Sequence, residues 1–314
     1  MAELLYVVIP CYNEEEVLPE TSKRLGVKLH ASIKAGRVAP DSRILFVDDG
    51  SSDQTWQVIE NLHREDKVFS GIKLSRNRGH QNALLAGLMS AKDRADIAIS
   101  MDADLQDDVD VIDSFLAHRE QGCDIVYGVR SNRKTDTIFK RMTAQSFYKL
   151  MKRLGADLIC NHADCRLMSR RALEGLSMYG EANLFLRGII PLIGYKTAIS
   201  TYERAERFVG ESKYPLRKMV TLAAEGITSF SVKPLKLIKN IGVLMMVASM
   251  IVSLYSLLAH LLSWSFTGWS FQMGSLWFLS GLNLTALGVV GVYIGKIYAE
   301  TKKRPRYIIE DVLG

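Results

Sequence analysis

Residues 241–295 hold no Asp, Glu, Lys or Arg, and no other feature restricts the folding of this chain as strongly. Two segments, 241–264 (IGVLMMVASMIVSLYSLLAHLLSW) and 276–298 (LWFLSGLNLTALGVVGVYIGKIY), are each about 23 residues long and almost uncharged. As helices they would measure roughly 35 Å, enough to cross the hydrocarbon core of a bilayer. A pair of buried core helices is the alternative, but runs this long and this uniformly apolar predict a two-helix transmembrane hairpin over 240–298. Lys233, Lys236 and Lys239 precede it, while Lys302, Lys303, Arg304 and Arg306 follow in an expected basic tail, 299–314. The connection SFTGWSFQMG carries no charge and is rich in aromatic residues suited to an interface. Positive charge at both ends places the soluble part in the cytoplasm, on a multi-pass protein of the plasma membrane. Gly291 and Gly295 have the spacing that lets helices pack closely. The segment 213–239 mixes basic and apolar residues; it is either a helix lying on an anionic membrane surface or an ordinary surface helix.

The first 212 residues have a different grammar. Short apolar runs at 4–10, 43–47, 97–101 and 124–129, each ended by Pro, Asp or Gly, predict buried strands. Helices are expected between them at 14–35, 53–66, 79–92 and 108–121, the first opened by three glutamates and the second capped by Asp53. This alternation predicts an α/β domain with a Rossmann-like, mostly parallel sheet covered on both faces. Ligands of such sheets bind beyond the carboxyl ends of the strands. Polar loops fall there each time: CYNEEE, DDGSSDQT and DADLQDD. The N-terminus, MAELLYVVIP, has no basic leader and is expected to be the first strand rather than a signal peptide.

Charge and cysteine content narrow the partners. Forty Lys and Arg against 34 Asp and Glu leave a formal charge of +6, too modest to indicate a nucleic-acid partner. Four scattered cysteines do not make a disulfide scaffold, and Cys160, His162 and Cys165 lack a fourth ligand for a structural zinc site. The chemistry is concentrated in SMDADLQDD. Asp102 and Asp104 flank one small residue after a buried strand, so both carboxylates can reach one hard divalent cation, Mg²⁺ or Mn²⁺. Asp107 and Asp108 are expected to open the next helix. The chain has neither G-x-G-x-x-G after its first strand nor a P-loop, so a nucleotide would be held by loop carboxylates, amides and metal. Asp49 is placed either to accept hydrogen bonds from a base or ribose, or to stabilise its own turn.

VVIPCYNEEE, FVDDGSSDQT, LSRNRGHQNALLAG and MDADLQDD resemble the successive blocks of inverting family-2 glycosyltransferases of GT-A fold. NHADCRLMSRRAL, NLFLRGIIPLIGY and RFVGESKYPLRKM resemble the polyisoprenyl-phosphate glycosyltransferases of the bactoprenol (undecaprenyl-phosphate) glucosyltransferase type, which also carry two C-terminal membrane helices. The resemblance runs from about residue 5 to the last apolar segment, with the blocks in the family's order. It implies a nucleotide-sugar pocket lined by Pro10, Tyr12, Asn13, Glu14, Asp49, Asn77 and Gly79. It implies metal ligation by Asp102 and Asp104, and a catalytic carboxylate at Asp164. The lipid phosphate would meet Arg130 and Lys140 or Arg141, with Arg207 and Lys213 in a loop closing over both phosphates. Ala144 stands where the family often has Ser. The implied reaction moves one sugar, glucose or N-acetylglucosamine, from a UDP-sugar to undecaprenyl phosphate with inversion, in an enzyme that is expected to be a homo-oligomer.

Two other readings compete with it. A processive polysaccharide synthase is opposed by the missing Q-x-x-R-W, and a catalytically inactive membrane scaffold by the intact Asp102, Asp104 and Asp164. The favoured acceptor, a phosphate monoester, has a second pKa near ~6 and is largely dianionic at neutral pH. It needs little help from a base. Asp164 would then orient cations or a sugar hydroxyl rather than remove a proton.

Overall fold

The computed structural model describes residues 2–130, 162–181, 185–202, 269–314 and helical pieces between 235 and 251. Four strands form the parallel centre of the sheet: β1 (Leu5–Cys11), β2 (Arg43–Asp48), β3 (Phe69–Leu74) and β4 (Ile97–Ser100). Helices α1 (Leu18–Lys34), α2 (Thr55–Glu65), α3 (His80–Lys92) and α4 (Val111–Glu120) follow them in turn. All seven residues of β1 are buried, as a strand covered on both faces requires. Helix α3 lies directly on β1 and β2. A Cβ at Gly87 would come within 2.3 Å of Val8 Cγ1 and 2.7 Å of Val47 Cγ2, so only glycine allows this approach.

Four further strands complete an eight-stranded sheet in the order β7-β5-β6-β4-β1-β2-β3-β8. They are β5 (Ile125–Arg130), β6 (His162–Ser169), β7 (Thr197–Tyr202) and β8 (Ile309–Leu313). Helices α5 (Arg170–Ser177) and α6 (Leu186–Leu192) lie between β6 and β7, and α7 (Trp269–Thr301) precedes β8. β6 runs antiparallel to both β4 and β5, and β8 antiparallel to β3. The sheet is therefore the mixed sheet of the GT-A α/β fold, less parallel than the sequence suggested. Chain order reverses at β1, which has β2 on one side and β4 on the other. That reversal opens the crevice where such sheets bind ligands.

Several local expectations shift. Glu14–Glu16 stay in the loop before α1: the Glu14 amide donates to Thr55 Oγ1 at 2.9 Å, and Glu15 Oε2 accepts from the Gln54 amide at 2.8 Å. Asp53 sits one residue before the Gln54 cap position of α2, accepting from the amides of Thr55 and Glu15. Helix α4 begins at Val111, so neither Asp107 nor Asp108 opens it. Asp107 is buried and accepts a 2.6 Å hydrogen bond from Tyr202 Oη. Asp108 caps the turn, accepting from the Asp110 amide.

The segment expected as a free basic tail contains β8. Ile72 pairs with Val312 and Lys73 with Asp311, while the Ser75 amide donates to the Ile308 carbonyl. Lys73 Nζ lies 3.4 Å from Glu310 Oε1, and Arg306 Nη2 donates to the Tyr179 carbonyl at 2.7 Å.

The second expected span is helical. Within α7, Phe278–Thr301 is long and apolar enough to cross a membrane, and none of its apolar window is buried against protein. A soluble core helix would bury that surface. Among the described residues it is the one such helix. The first expected span falls mostly outside them, with only helical pieces between 235 and 251 described, so the hairpin as a whole is not established.

Candidate active site

The loops after β1, β2 and β3 are tied into one rim. Asn13 adopts a left-handed conformation (φ 54°), and its Oδ1 accepts from the Ser52 amide at 2.9 Å, while its own amide donates to Ser51 Oγ at 3.0 Å. Tyr12, beside it, is 47 % exposed, whereas Pro10 is buried within β1. Gly50 (φ 65°) brings the β2 loop against the backbone of Arg76 and Asn77, where a Cβ would lie 2.5 Å from the Arg76 carbonyl carbon. Asp49 is buried beneath this contact, its Oδ1 accepting from the Arg78 amide at 2.7 Å and its Oδ2 from the Gly79 amide at 2.8 Å. Both of its oxygens thus tie the β2 loop to the loop that follows β3. Asn77 Oδ1 also accepts from the Gly79 amide, at 3.1 Å. These bonds fix Gly79 (φ 87°), the residue that aims the start of α3 at the crevice.

The first side chain of α3, His80, meets two carboxylates. Its Nε2 lies 3.5 Å from Asp102 Oδ1 and 3.6 Å from Asp164 Oδ2. Asp102 leaves the end of β4. Asp164 comes from β6, whose antiparallel pairing of Arg166 with Ser100 brings the start of β6 to the level of the loop after β4. Ser100 Oγ donates to the Asp164 carbonyl at 2.5 Å and locks that register. Asp104 lies on the same loop, its Oδ1 accepting from the Gln106 amide at 3.2 Å. The loop is anchored to α1 by Thr21 Oγ1, which donates to the Ala103 carbonyl at 2.8 Å, and it passes through Leu105 in the left-handed region (φ 56°). Strain in a buried functional loop requires such anchoring.

The two carboxylates have opposite electrostatics. Arg166, fully buried, donates to Asp164 Oδ1 at 2.6 Å; Arg187 donates through Nε to Oδ1 at 3.1 Å and through Nη2 to Oδ2 at 2.9 Å. Burial raises the pKa of Asp164, but His80 and the two arginines overcome it and hold this carboxyl well below the usual carboxylate range. Asp102 has no arginine or lysine partner among the described residues. Burial, with the charges of Asp164, Asp107 and Asp104, pushes it up to about 6 against the opposing pull of His80. Its Oδ1 is buried and has no hydrogen-bond partner among the described residues. Burial opposes the charged form of His80, but Asp164 and Asp102 outweigh it and raise its pKa.

An unsatisfied carboxylate oxygen beside an imidazole and a second carboxylate suits a divalent cation. The facing atoms of His80, Asp102 and Asp164 all lie within 4.8 Å of one another. Of the expected residues, the structure brings Asp102 and Asp164 together at the crevice, with Asp104 on the same loop. Tyr12, Asn13, Glu14, Asp49, Asn77 and Gly79 belong to the rim. Arg130 ends β5, its backbone paired with Tyr202. Lys140, Arg141, Arg207 and Lys213 lie outside the described residues, as does Cys160 of the cysteine–histidine trio.

Sequence reasoning overlooked His80, Arg166 and Arg187, although each lay in a quoted block. For His80 a signal existed: it follows a loop at the carboxyl end of a parallel strand. Gln81, next to it, accepts from the Leu186 amide at 3.0 Å and draws α6, which carries Arg187, towards the site.

Comparison with known proteins agrees with this architecture. The pattern of glycosyl transferase family 2 matches residues 6–177. YkoT of Bacillus subtilis, named an uncharacterized glycosyltransferase, is 51 % identical over 98 % of this chain and 91 % of its own length. The prophage bactoprenol glucosyl transferase homolog of Escherichia coli is 39 % identical over 98 % of both chains. The bactoprenol glucosyl transferase of Shigella phage SfV is 38 % identical over 97 % of both. With a family pattern spanning more than half its length and relatives aligned from end to end, this chain belongs to glycosyl transferase family 2 and is a glycosyltransferase.

Proposed function

We propose that this enzyme transfers one sugar, glucose or N-acetylglucosamine, from a UDP-sugar to a polyprenyl phosphate such as undecaprenyl phosphate, with inversion, at the cytoplasmic face of the plasma membrane. The observation that carries the reading is the meeting of Asp102, His80 and Asp164 at the strand-order reversal, with Arg187 beside them. A departing nucleoside diphosphate needs concentrated positive charge at that place. Asp102, with Asp104 on the same loop, would hold Mg²⁺ or Mn²⁺, and the bound cation supplies charge to the diphosphate. The rim of Tyr12, Asn13, Glu14, Asp49, Asn77 and Gly79 would hold the nucleotide.

The acceptor side follows from Asp164. A carboxylate held by two arginines is a poor proton acceptor, and a dianionic lipid phosphate requires none. Asp164 instead orients Arg187 and His80. Arg130, Lys140, Arg141, Arg207 and Lys213 would supply cations for the acceptor phosphate. Full-length similarity to relatives named bactoprenol glucosyl transferase supports this acceptor.

The sheet supports the hairpin. β7 precedes the apolar region and β8 follows it, yet both belong to one sheet. A chain that leaves a sheet for a membrane and rejoins that sheet crosses an even number of times. Helix α7 accounts for one crossing, and the charge-free 241–264 is the segment long enough for the other.

The test is transfer from radiolabelled UDP-sugars to undecaprenyl phosphate by the full-length protein in detergent, with and without chelator. The expected result is a metal-dependent, lipid-extractable product from one UDP-sugar. Insoluble polymer, or no product from any UDP-sugar, would refute the reading.

A further inference from the structure

We infer that His80 is a nitrogen ligand of the catalytic cation, which lies between His80 Nε2 and Asp102 Oδ1. The inference rests on the metal-assisted transfer proposed above and adds a side chain to its aspartate ligands.

His80 Nε2 stands 3.5 Å and 3.6 Å from the two carboxylate oxygens, beyond ordinary hydrogen-bond length. An octahedral ion with ligand arms of about 2.1 Å places neighbouring ligand atoms about 3 Å apart. A small contraction around an ion would bring His80 Nε2 and Asp102 Oδ1 to that separation.

The two carboxylates also differ in how their charge is met. Asp164 already shares its charge with Arg166 and Arg187. Among the described residues Asp102 has no such partner, and its Oδ1 is buried with no hydrogen-bond partner there. Buried carboxylate oxygens are rarely left so. Of the two carboxylates beside the imidazole, Asp102 is therefore the one whose charge no arginine or lysine among the described residues meets. A lysine at position 80 could neutralise Asp102, but it would occupy the space an ion needs.

The imidazole is also held in place from behind. His80 starts α3, whose entry is fixed by Asp49 on the Arg78 and Gly79 amides and whose approach to the sheet depends on Gly87. Ligands held by outer contacts of this kind bind without the cost of ordering. An imidazole in the set also favours first-row transition ions over Mg²⁺, which prefers oxygen and keeps its water.

The test is pulsed electron paramagnetic resonance of Mn²⁺ bound, with UDP, to the full-length protein in detergent, with and without [¹⁵N]histidine. The wild type should show the coupling of a directly bound nitrogen, altered by the isotope. His80→Ala should abolish it and weaken Mn²⁺ binding about tenfold or more. The wild-type spectrum decides alone if the variant fails to fold. Mn²⁺ held only through oxygen, or a coupling that survives His80→Ala, would overturn the inference and leave sugar transfer standing. Failure of the wild type to bind Mn²⁺ with UDP would remove the cation from the proposed function and this inference with it.

Discussion

Asp102 and Asp164 share His80, yet the chain bears their charges in different ways. Arg166 is fully buried and relies on Asp164 for its counter-charge. Removing one partner of a buried ion pair costs about 3–5 kcal/mol, so Asp164→Asn should lower the unfolding temperature. Asp102, pushed up to about 6, is destabilising when ionised in the metal-free protein. That cost grows as pH rises from the ordinary carboxylate range to about 6 and is fully present above it, because the folded state binds the proton more tightly than the unfolded one. In chelator at pH 7.5, Asp102→Asn should therefore raise the unfolding temperature, by roughly 2–3 kcal/mol of stability. Both variants should be inactive. Thermal unfolding of the two proteins tests the contrast; shifts of the same sign would show that their roles are not separable. Sequence revealed Asp102 because aspartates crowded after an apolar strand are costly without a reason. It could not reveal that Arg166 is buried against Asp164, since a lone arginine in a polar block has the same look on a solvated surface.

At the scale of elements, apolar runs exposed β1, β2, β4 and β5, because strands covered on both faces need them. β3 (FSGIKL) was missed because Ser70, Gly71 and Lys73 interrupt its apolar run. β6 (HADCRLMS) carries the site's charges on its own strand, so the element most responsible for placing Asp164 least resembles one. β8 lies in a segment whose charges suggested a free tail. Its strand character comes from pairing with β3, which no local pattern announces. Helix α3 is the element whose placement can be tested directly. Gly87→Ala would force a methyl into Val8 and Val47, and overpacking of this kind costs about 1–3 kcal/mol. Relief requires α3 to move away from the sheet, carrying His80 away from Asp102. The variant should lose stability and also bind Mn²⁺ more weakly, measured by calorimetry on folded protein. A loss of stability with unchanged Mn²⁺ affinity would show that α3 does not position the site.

For the whole molecule the decisive contact is the pairing of β8 with β3. β8 and Arg306 return the chain to the catalytic domain within a few residues of α7. The chain that follows the apolar region therefore belongs to the same sheet as the chain that precedes it. Positive charge on both flanks carries the expectation that they share one side of the membrane, since Lys233, Lys236 and Lys239 match Lys302, Lys303 and Arg304. If 241–264 and α7 both cross, the connection near residue 268 lies outside, and β8 shares the cytoplasm with the sheet. A cysteine replacing Gly268 should then react with an impermeant thiol reagent added to intact cells. One replacing Glu310, an exposed position on β8, should react only after the membrane is opened. The native cysteines described here, Cys11, Cys123 and Cys165, are buried and keep the background low; Cys160 is replaced by Ser in both proteins. Labelling of position 310 from outside would reverse the orientation. Protection of both positions in intact cells, with position 268 exposed on opening, would mean that the apolar region does not cross as a hairpin.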